Sequence, residues 1–313
     1  MSEISVFVPS YNHAPFIGRT LHSIFKQTLR PRKLLVIDDG SRDDSAKIIE
    51  KVLQDCPFEN EFIRRENRGL CATLNEGFAK TDGEFFAYLG SDDVWLPTFL
   101  EERVKLLRAK PEAVLAFGHS FLIDEKERII DSTADWLEYV DGDMQMHLLR
   151  GLLFAAPSVV YRRAAIAKYG WNEDAKLEDY ELYLKLSSDG DFAFDPGVLC
   201  GWRQHETNTS KDLPVMFNEW MEAQNRVEHL LKVSSVELEK IQMELKFNAS
   251  ANFARHGYKR QAVSLFWNNL NAAKSPLQLG NSFFRLLIPK SLYDFYRRKN
   301  REKYIRRYGK LEI

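Results

Sequence analysis

The stretch Phe85-Phe86-Ala87-Tyr88-Leu89-Gly90-Ser91-Asp92-Asp93 decides how this chain is read. Its first five residues are apolar without a break, as in a strand buried on both faces. The run stops at a glycine, and two adjacent carboxylates follow. Such a pair repels unless a cation or hydrogen-bond donors offset the charge. An exposed helix start is the plainer account of the same two residues.

Outward from this strand, the first 120 residues alternate strand and helix. Strands are predicted over 4–9, 33–38, 61–65, 84–89 and 113–123. Helices fall between them over 16–27, 45–53, 70–79 and 96–109; Ile17, Leu21, Ile24 and Phe25 lie at helical spacing in the first. Buried strands separated by amphipathic helices imply an α/β fold with a mostly parallel sheet covered on both sides. In such sheets ligands bind beyond the carboxyl ends of the strands. The ends here are Pro9-Ser10-Tyr11-Asn12, Asp38-Asp39-Gly40-Ser41, Glu66-Asn67-Arg68-Gly69 and Gly90-Ser91-Asp92-Asp93. Each alone passes for turn or cap chemistry. Together they suit a nucleoside diphosphate: an aromatic ring for the base, aspartates for base and ribose, and a carboxylate for Mg²⁺ or Mn²⁺.

The chain has 313 residues, 44% hydrophobic and 28% charged, enough for a large core. The region 124–212 is less regular, with strands expected at 157–161 and 198–202 and a helix at 178–187. From Leu213 on the chain reads as helical. Three widely spaced cysteines form neither a zinc motif nor a disulfide framework and suit a reducing compartment. There is no signal-peptide pattern and no apolar run of spanning length. The expected location is therefore the cytoplasm or the inner face of the plasma membrane. Residues 282–313 carry ten Lys/Arg against three Asp/Glu, within a chain of net charge −1. With the apolar run Phe283–Pro289, this tail suits an anionic membrane surface; a solvated basic helix packed on the protein is the alternative. No nucleic-acid recognition motif accompanies it.

In this order the motifs resemble the family 2 glycosyltransferases with the GT-A fold. The similarity runs from Ile4 to about Ser210 and rests on Val8–Asn12, Ile37–Ser41, Glu66–Gly69 with Asn75, Asp82-Gly83-Glu84 and Leu89–Asp93. It implies a catalytic domain over 1–212, with a nucleotide-sugar half (1–120) and an acceptor half (121–212), followed by a helical region over 213–313. By the same resemblance Pro9, Tyr11 and Asp39 line a base pocket, usually for uracil. Asn12, Asn67, Gly69 and Ser91 complete the donor site, Asp92 reaches the ribose or diphosphate, and Asp93 binds the metal. In Leu177-Glu178-Asp179-Tyr180, Asp179 is the expected catalytic base of an inverting transfer; Glu178 and Trp202 are expected at the acceptor. The segment Trp202–Ser210 resembles the family's Arg-x-His loop, with Arg203 expected on phosphate and His205 on metal or phosphate. Gly90 departs from the family, which more often has an aspartate there.

The implied reaction moves a sugar from a UDP-sugar to a glycan or lipid-linked hydroxyl, in bacterial surface polysaccharide synthesis. A non-catalytic nucleotide-sugar-binding scaffold on the same fold is the competing class. A sugar nucleotidyltransferase is disfavoured, since no glycine-rich loop follows the first strand.

Overall fold

A computed structural model describes residues 3–206, 208 and 211–313. Among these, one sheet contains β1 (Ile4–Ser10), β2 (Lys33–Asp38), β3 (Asn60–Arg64), β4 (Phe85–Tyr88), β5 (Val94–Trp95), β6 (Ala113–Ile123), β7 (Ile129–Ser132), β8 (Val160–Arg162) and β9 (Asp191–Arg203). The order is β3-β2-β1-β4-β8-β6-β9-β5, with β7 paired to β6. Strands β1 to β4 are mutually parallel. β8 runs antiparallel to both β4 and β6, and β9 runs parallel to β6. The carboxyl ends of β1, β2, β3, β4, β6 and β9 therefore share one edge.

The helices are α1 (Ile17–Phe25), α2 (Ser45–Leu53), α3 (Leu70–Ala79), α4 (Phe99–Ala109), α5 (Gln145–Leu149), α6 (Arg163–Ala167), α7 (Glu178–Leu186), α8 (Leu213–Arg226), α9 (Ser235–Arg255), α10 (Lys259–Asn268), α11 (Pro276–Leu287) and α12 (Lys290–Tyr308). The period of two along the strands sorts the core onto two faces. Phe7, Leu35, Ile37, Phe86 and Tyr88 pack on one side with Leu74 of α3 and the aromatic residues of α7. Val6, Val8, Leu34, Val36 and Ala87 pack on the other with Leu21 and Ile24 of α1 and Phe99 of α4.

The α/β class and the five early strands follow the sequence reading. Three differences have local causes. β5 and β7 are too short to show a period. The strand expected over 157–161 is a single helical turn at Ala156–Ser158 followed by β8; Pro157 has no N–H to give a ladder. β9 starts at Asp191 rather than 198, because it pairs with β6 along most of its length.

The expected division near residue 212 falls in the stretch between β9 and α8. The helices beyond it share a hydrophobic cluster with the sheet, through Phe217, Met221, Phe253 and Phe266. The chain's end then returns to the sheet. Leu311 is buried among Val94, Ile123 and Ile129. Its N–H donates to Glu127 O at 2.8 Å, and Ile129 N–H donates to Gly309 O at 2.9 Å.

Candidate active site

The acidic turn after β4 is held from two sides. The Thr20 hydroxyl of α1 lies 3.0 Å from Ser91 O and 2.8 Å from Asp93 O. From β9, Arg203 N–H donates to Asp93 Oδ1 at 2.7 Å, and Arg203 Nε donates to Asp92 O at 2.6 Å. Arg203 Nη1 donates to Asp124 O at 3.0 Å. The guanidinium also lies over the Phe16 ring. Arg203 is 1% exposed, and these hydrogen bonds of its side chain go to backbone carbonyls.

The two carboxylates consequently differ. Asp93 is buried, with one oxygen committed to Arg203 N–H. Burial pushes its carboxyl well above the usual range, and the neighbouring Asp92 charge adds to the shift. Asp92 is half-buried and turns toward two histidines. His205 Nε2 lies 2.9 Å from Asp92 Oδ2, and His13 Nδ1 lies 3.8 Å from Asp92 Oδ1. His13 Nδ1 is also 2.7 Å from Ser91 Oγ. Burial works to raise the Asp92 carboxyl, but the hydrogen bond from His205 and the two imidazoles hold it below its ordinary value. One ligand atom each from His13, Asp92 and His205 falls within 4.8 Å of the others. A carboxylate with two imidazoles is a donor set that fits a borderline-hard divalent ion.

The ends of β1, β2 and β3 border an open cleft of about 500 Å³, lined by Tyr11, Gly40, Ser41, Arg65, Glu66 and Asn67 among others. Tyr11 is exposed on its wall. Asn12 adopts φ 54 and ties two loops together: its N–H donates to Ser41 Oγ at 2.8 Å, and its Oδ1 accepts from Arg42 N–H at 2.8 Å. Asp39 lies beneath the cleft, 4% exposed. Its carboxylate accepts from the Arg65 guanidinium, from Arg68 N–H at 2.8 Å and from Gly69 N–H at 2.9 Å. Asn67 Nδ2 donates to Asp39 O at 2.9 Å. Gly40 has φ 78, and a Cβ there would sit 2.8 Å from Asn67 N, so only glycine lets the two loops meet.

Glu178 and Asp179 open α7, after Leu177 in extended conformation. Both are half-buried. Burial raises the Glu178 carboxyl, and the Asp92 charge adds to this. Asp179 is pushed well above the usual carboxylate range, first by burial and then by Glu178. Behind the pair, Tyr88 stacks on Tyr161 and Tyr161 on Tyr183, with centroids 6.2 and 6.4 Å apart. Burial raises all three phenols, and the Asp179 charge is among the lesser causes in each.

The edge thus gathers Tyr11, Asn12, Asn67, Gly69, Ser91, Asp92 and His205, and Glu178 lies near enough for the Asp92 charge to raise its carboxyl, with Asp179 next to it. Pro9, Asp39, Asp93 and Arg203 are buried. Trp202 is half-buried and, being next to Arg203 on β9, faces the other side of the sheet. In the Arg-x-His loop, Thr207, Thr209 and Ser210 lie outside the described residues. Sequence reasoning missed His13 and Arg65. A histidine two residues beyond an exposed tyrosine at a strand end was the available signal for His13. Nothing in its own neighbourhood marked Arg65 as the partner of Asp39, twenty-six residues away.

A sheet of this order with an acidic turn beside a nucleotide-sized cleft defines the GT-A class. The structure resembles residues 1–349 of Staphylococcus aureus TarS, solved in complex with UDP-GlcNAc, at a TM-score of 0.64 and 17% identity, covering 100% of this chain and 94% of that one. It also resembles the mannosyltransferase PcManGT of Pyrobaculum calidifontis, solved with GDP-Man and Mn²⁺, at 0.62 and 16%, covering 99% and 88%. The family profile of glycosyl transferase family 2 matches residues 5–170, and the chain belongs to that family. An uncharacterized glycosyltransferase of Nostoc sp. is 29% identical over 53% of this chain and 52% of its own length. Chondroitin synthase of Escherichia coli is 27% identical over 66% of this chain and 30% of its own length. The chain thus spans about half or less of the length of these curated relatives.

Proposed function

We propose that the chain is an inverting glycosyltransferase that moves a sugar from a nucleoside-diphosphate sugar, a UDP-sugar by the sequence resemblance, to a hydroxyl of a growing glycan. The observation that carries this reading is the contact of Asp92 with His205 and His13 at the end of β4, together with the half-buried acidic pair Glu178-Asp179 that opens α7. Asp92 is held ionised by imidazoles, while Asp179 is held basic by burial. In the proposed reaction Asp179 accepts the acceptor hydroxyl proton as that oxygen attacks the anomeric carbon. The bond to the diphosphate breaks on the opposite face, which inverts the centre. A raised pKa makes the carboxylate a better base at neutral pH. Glu178, adjacent in the first turn of α7, keeps that pKa high and lies on the acceptor side.

Tyr11 would carry the base on the cleft wall, and Asn67 and Gly69 would border the ribose. The donor class is supported by the names of the two structural neighbours' ligands, UDP-GlcNAc and GDP-Man. Chondroitin synthase among the relatives supports a glycan acceptor; a lipid-linked acceptor and a place in bacterial surface polysaccharide synthesis rest on the sequence resemblance.

For the divalent ion, Mn²⁺ or Mg²⁺, the proposed ligand set keeps the expected His205, replaces Asp93 by Asp92 and adds His13. Asp92 and His205, with His13, are the proposed ligands, and Asp93 is a positioning residue whose oxygen orients the strand that bears Arg203. When bound, such an ion neutralises charge on a leaving diphosphate. The test is turnover of nucleotide sugars with and without acceptor. Asp179→Asn should cut transfer by about 10²- to 10⁴-fold while UDP still raises the melting temperature. Undiminished transfer in Asp179→Asn would remove the proposed base.

A further inference from the structure

From sequence, residues 282–313 suit either an anionic membrane surface or a solvated basic helix packed on the protein. The structure divides that segment in two. The inner side of α12 is occupied: Tyr304 is buried, Arg301 Nη2 lies 2.7 Å from Asp124 Oδ2, Arg307 Nη1 lies 3.2 Å from Asp135 Oδ2, and Tyr293 lies under Arg255. Residues 293, 301, 304 and 308 recur at helical spacing and mark the face turned to the protein. The opposite stripe, 292, 295, 296, 299, 303 and 306, is solvent-exposed throughout. It begins with Leu292, Phe295 and Tyr296 and ends with Lys299, Lys303 and Arg306.

The preceding helix adds to the same kind of surface. In α11, Ser282 and Leu286 face inward, and the Phe283 ring lies 6.1 Å from Phe266. Leu277, Phe284 and Leu287 are 74%, 68% and 60% exposed on the other side, separated by seven and three residues. Apolar side chains this exposed, in one stripe on each of two consecutive helices, exceed the scattered exposure of ordinary surfaces. Cations border them: Arg285 and Lys290 flank the turn between the helices, and the Lys299 ammonium sits 4.6 Å from the Phe295 ring centroid. Among the described residues the ion pairs of 282–313 are Arg301–Asp124 and Arg307–Asp135. The other basic side chains of the segment are left for an outside anion.

We propose that the outer faces of α11 and α12 form a monotopic membrane-binding surface for anionic lipid, in which Leu277, Phe284, Leu287, Leu292 and Phe295 enter the acyl boundary and Lys299, Lys303 and Arg306 engage headgroups. No helix among the described residues is long and apolar enough to cross a membrane, so this contact lies in the plane of the interface. Apolar insertion and headgroup attraction reinforce one another in such helices, and neither alone holds a protein firmly. A protein partner would need an apolar cleft for the aromatic stripe and an acidic rim spaced to the basic turns of α12. A bilayer with anionic lipid supplies both at once.

The test is co-flotation of the full chain with vesicles of phosphatidylcholine alone and of phosphatidylcholine with phosphatidylglycerol. Flotation is expected with the anionic vesicles and should weaken as salt rises. The triple change Lys299→Glu, Lys303→Glu, Arg306→Glu should weaken it by about a hundredfold or more, at roughly 1 kcal/mol per lost charge. The pair Phe284→Glu, Leu287→Glu should abolish it. All five side chains are exposed, so both variants should keep the wild-type melting temperature and, with a soluble acceptor, wild-type turnover. That control separates failure here from failure of the catalytic reading. Absence of flotation with either vesicle would overturn the proposal. So would a concentration-dependent dimer, by light scattering, that Phe284→Glu, Leu287→Glu dissolves, because the face would then be covered by a second copy.

Discussion

Arg301 of the last helix lies 2.7 Å from the carboxylate of Asp124, whose backbone carbonyl accepts the side chain of Arg203 at 3.0 Å. The C-terminal segment therefore reaches the acidic turn through two residues. Asp124 caps the β6–β7 hairpin, accepting from Lys126 N–H and Arg128 N–H at 3.0 Å each. Burial works against its charge, but the hydrogen bonds of Arg128 and Arg301 outweigh it and hold the carboxyl below its usual value. With the folded pKa depressed, the stabilisation is complete above the unfolded value near ~3.9 and is lost as pH falls through the folded one. Asp124→Asn should thus cost more stability at about pH 7 than at about pH 3. Equal costs in urea melts at the two pH values would refute this.

The same latch depends on Leu311, buried against Val94, Ile123 and Ile129. Leu311→Ala removes a core side chain, a change that typically costs about 2–5 kcal/mol. Because this segment docks on the β6–β7 hairpin through a few contacts of residues 309–311, part of the loss should appear as local undocking. Amide exchange in the 124–132 hairpin is expected to accelerate more than in β1 or β2. Uniform acceleration across the sheet would mean that the tail stabilises the whole protein without bracing the site.

Gly90 stands where the resemblance favours an aspartate, and the structure supplies a steric reason for its present identity. A Cβ at this position would lie 2.9 Å from Asp92 Oδ1 and 3.3 Å from Asp93 Oδ2. Asp92 is fixed by His205, so it cannot yield without losing that bond. Gly90→Ala should therefore weaken Mn²⁺ binding, measured by calorimetry in the presence of UDP, with little change in melting temperature. Unaltered affinity would show that the Asp92 side chain swings aside at no cost.

How legible this was differs between fold and site. Strands such as Lys33–Asp38 and the amphipathic helix of Ile17, Leu21 and Ile24 carry their own period, so local pattern sufficed. Motif order also brought Tyr11, Asn67, Asp92 and Asp179 into view. What the chain could not disclose was the inward or outward sense of adjacent residues in a turn. Asp92 and Asp93 are neighbours of identical chemistry. Only the approach of Arg203 from a strand more than a hundred residues later turns one inward and leaves the other to the histidines. His13 was hidden for the same reason, since its partners Ser91 and Asp92 are remote in sequence.

That division of labour gives a direct metal prediction. Asp92→Asn and His205→Ala each remove a proposed ligand and should lower Mn²⁺ affinity by about ten- to a hundredfold or more while leaving the fold intact. Asp93→Asn keeps an oxygen for Arg203 N–H and relieves the burial of a charge, so it should bind the ion nearly as well and melt no lower. If Asp93→Asn instead loses the metal and Asp92→Asn retains it, the original sequence expectation is right and the assignment proposed here is wrong.

The pH dependence of transfer tests the base. Asp179 is raised first by burial and next by the Glu178 charge. It can take a proton only when ionised, so kcat/KM should fall on the acid side with a midpoint above the ordinary carboxylate value of about 4. Glu178→Gln removes the second cause and keeps the first. The midpoint should then move to lower pH while staying above that ordinary value, a shift that a merely structural Glu178 would not produce. Asp179→Asn should cost about 10²- to 10⁴-fold in transfer, with the UDP-induced thermal shift preserved. An acid limb that stays in place in Glu178→Gln and persists in the residual activity of Asp179→Asn would assign the titration to another group, and with it the proton transfer.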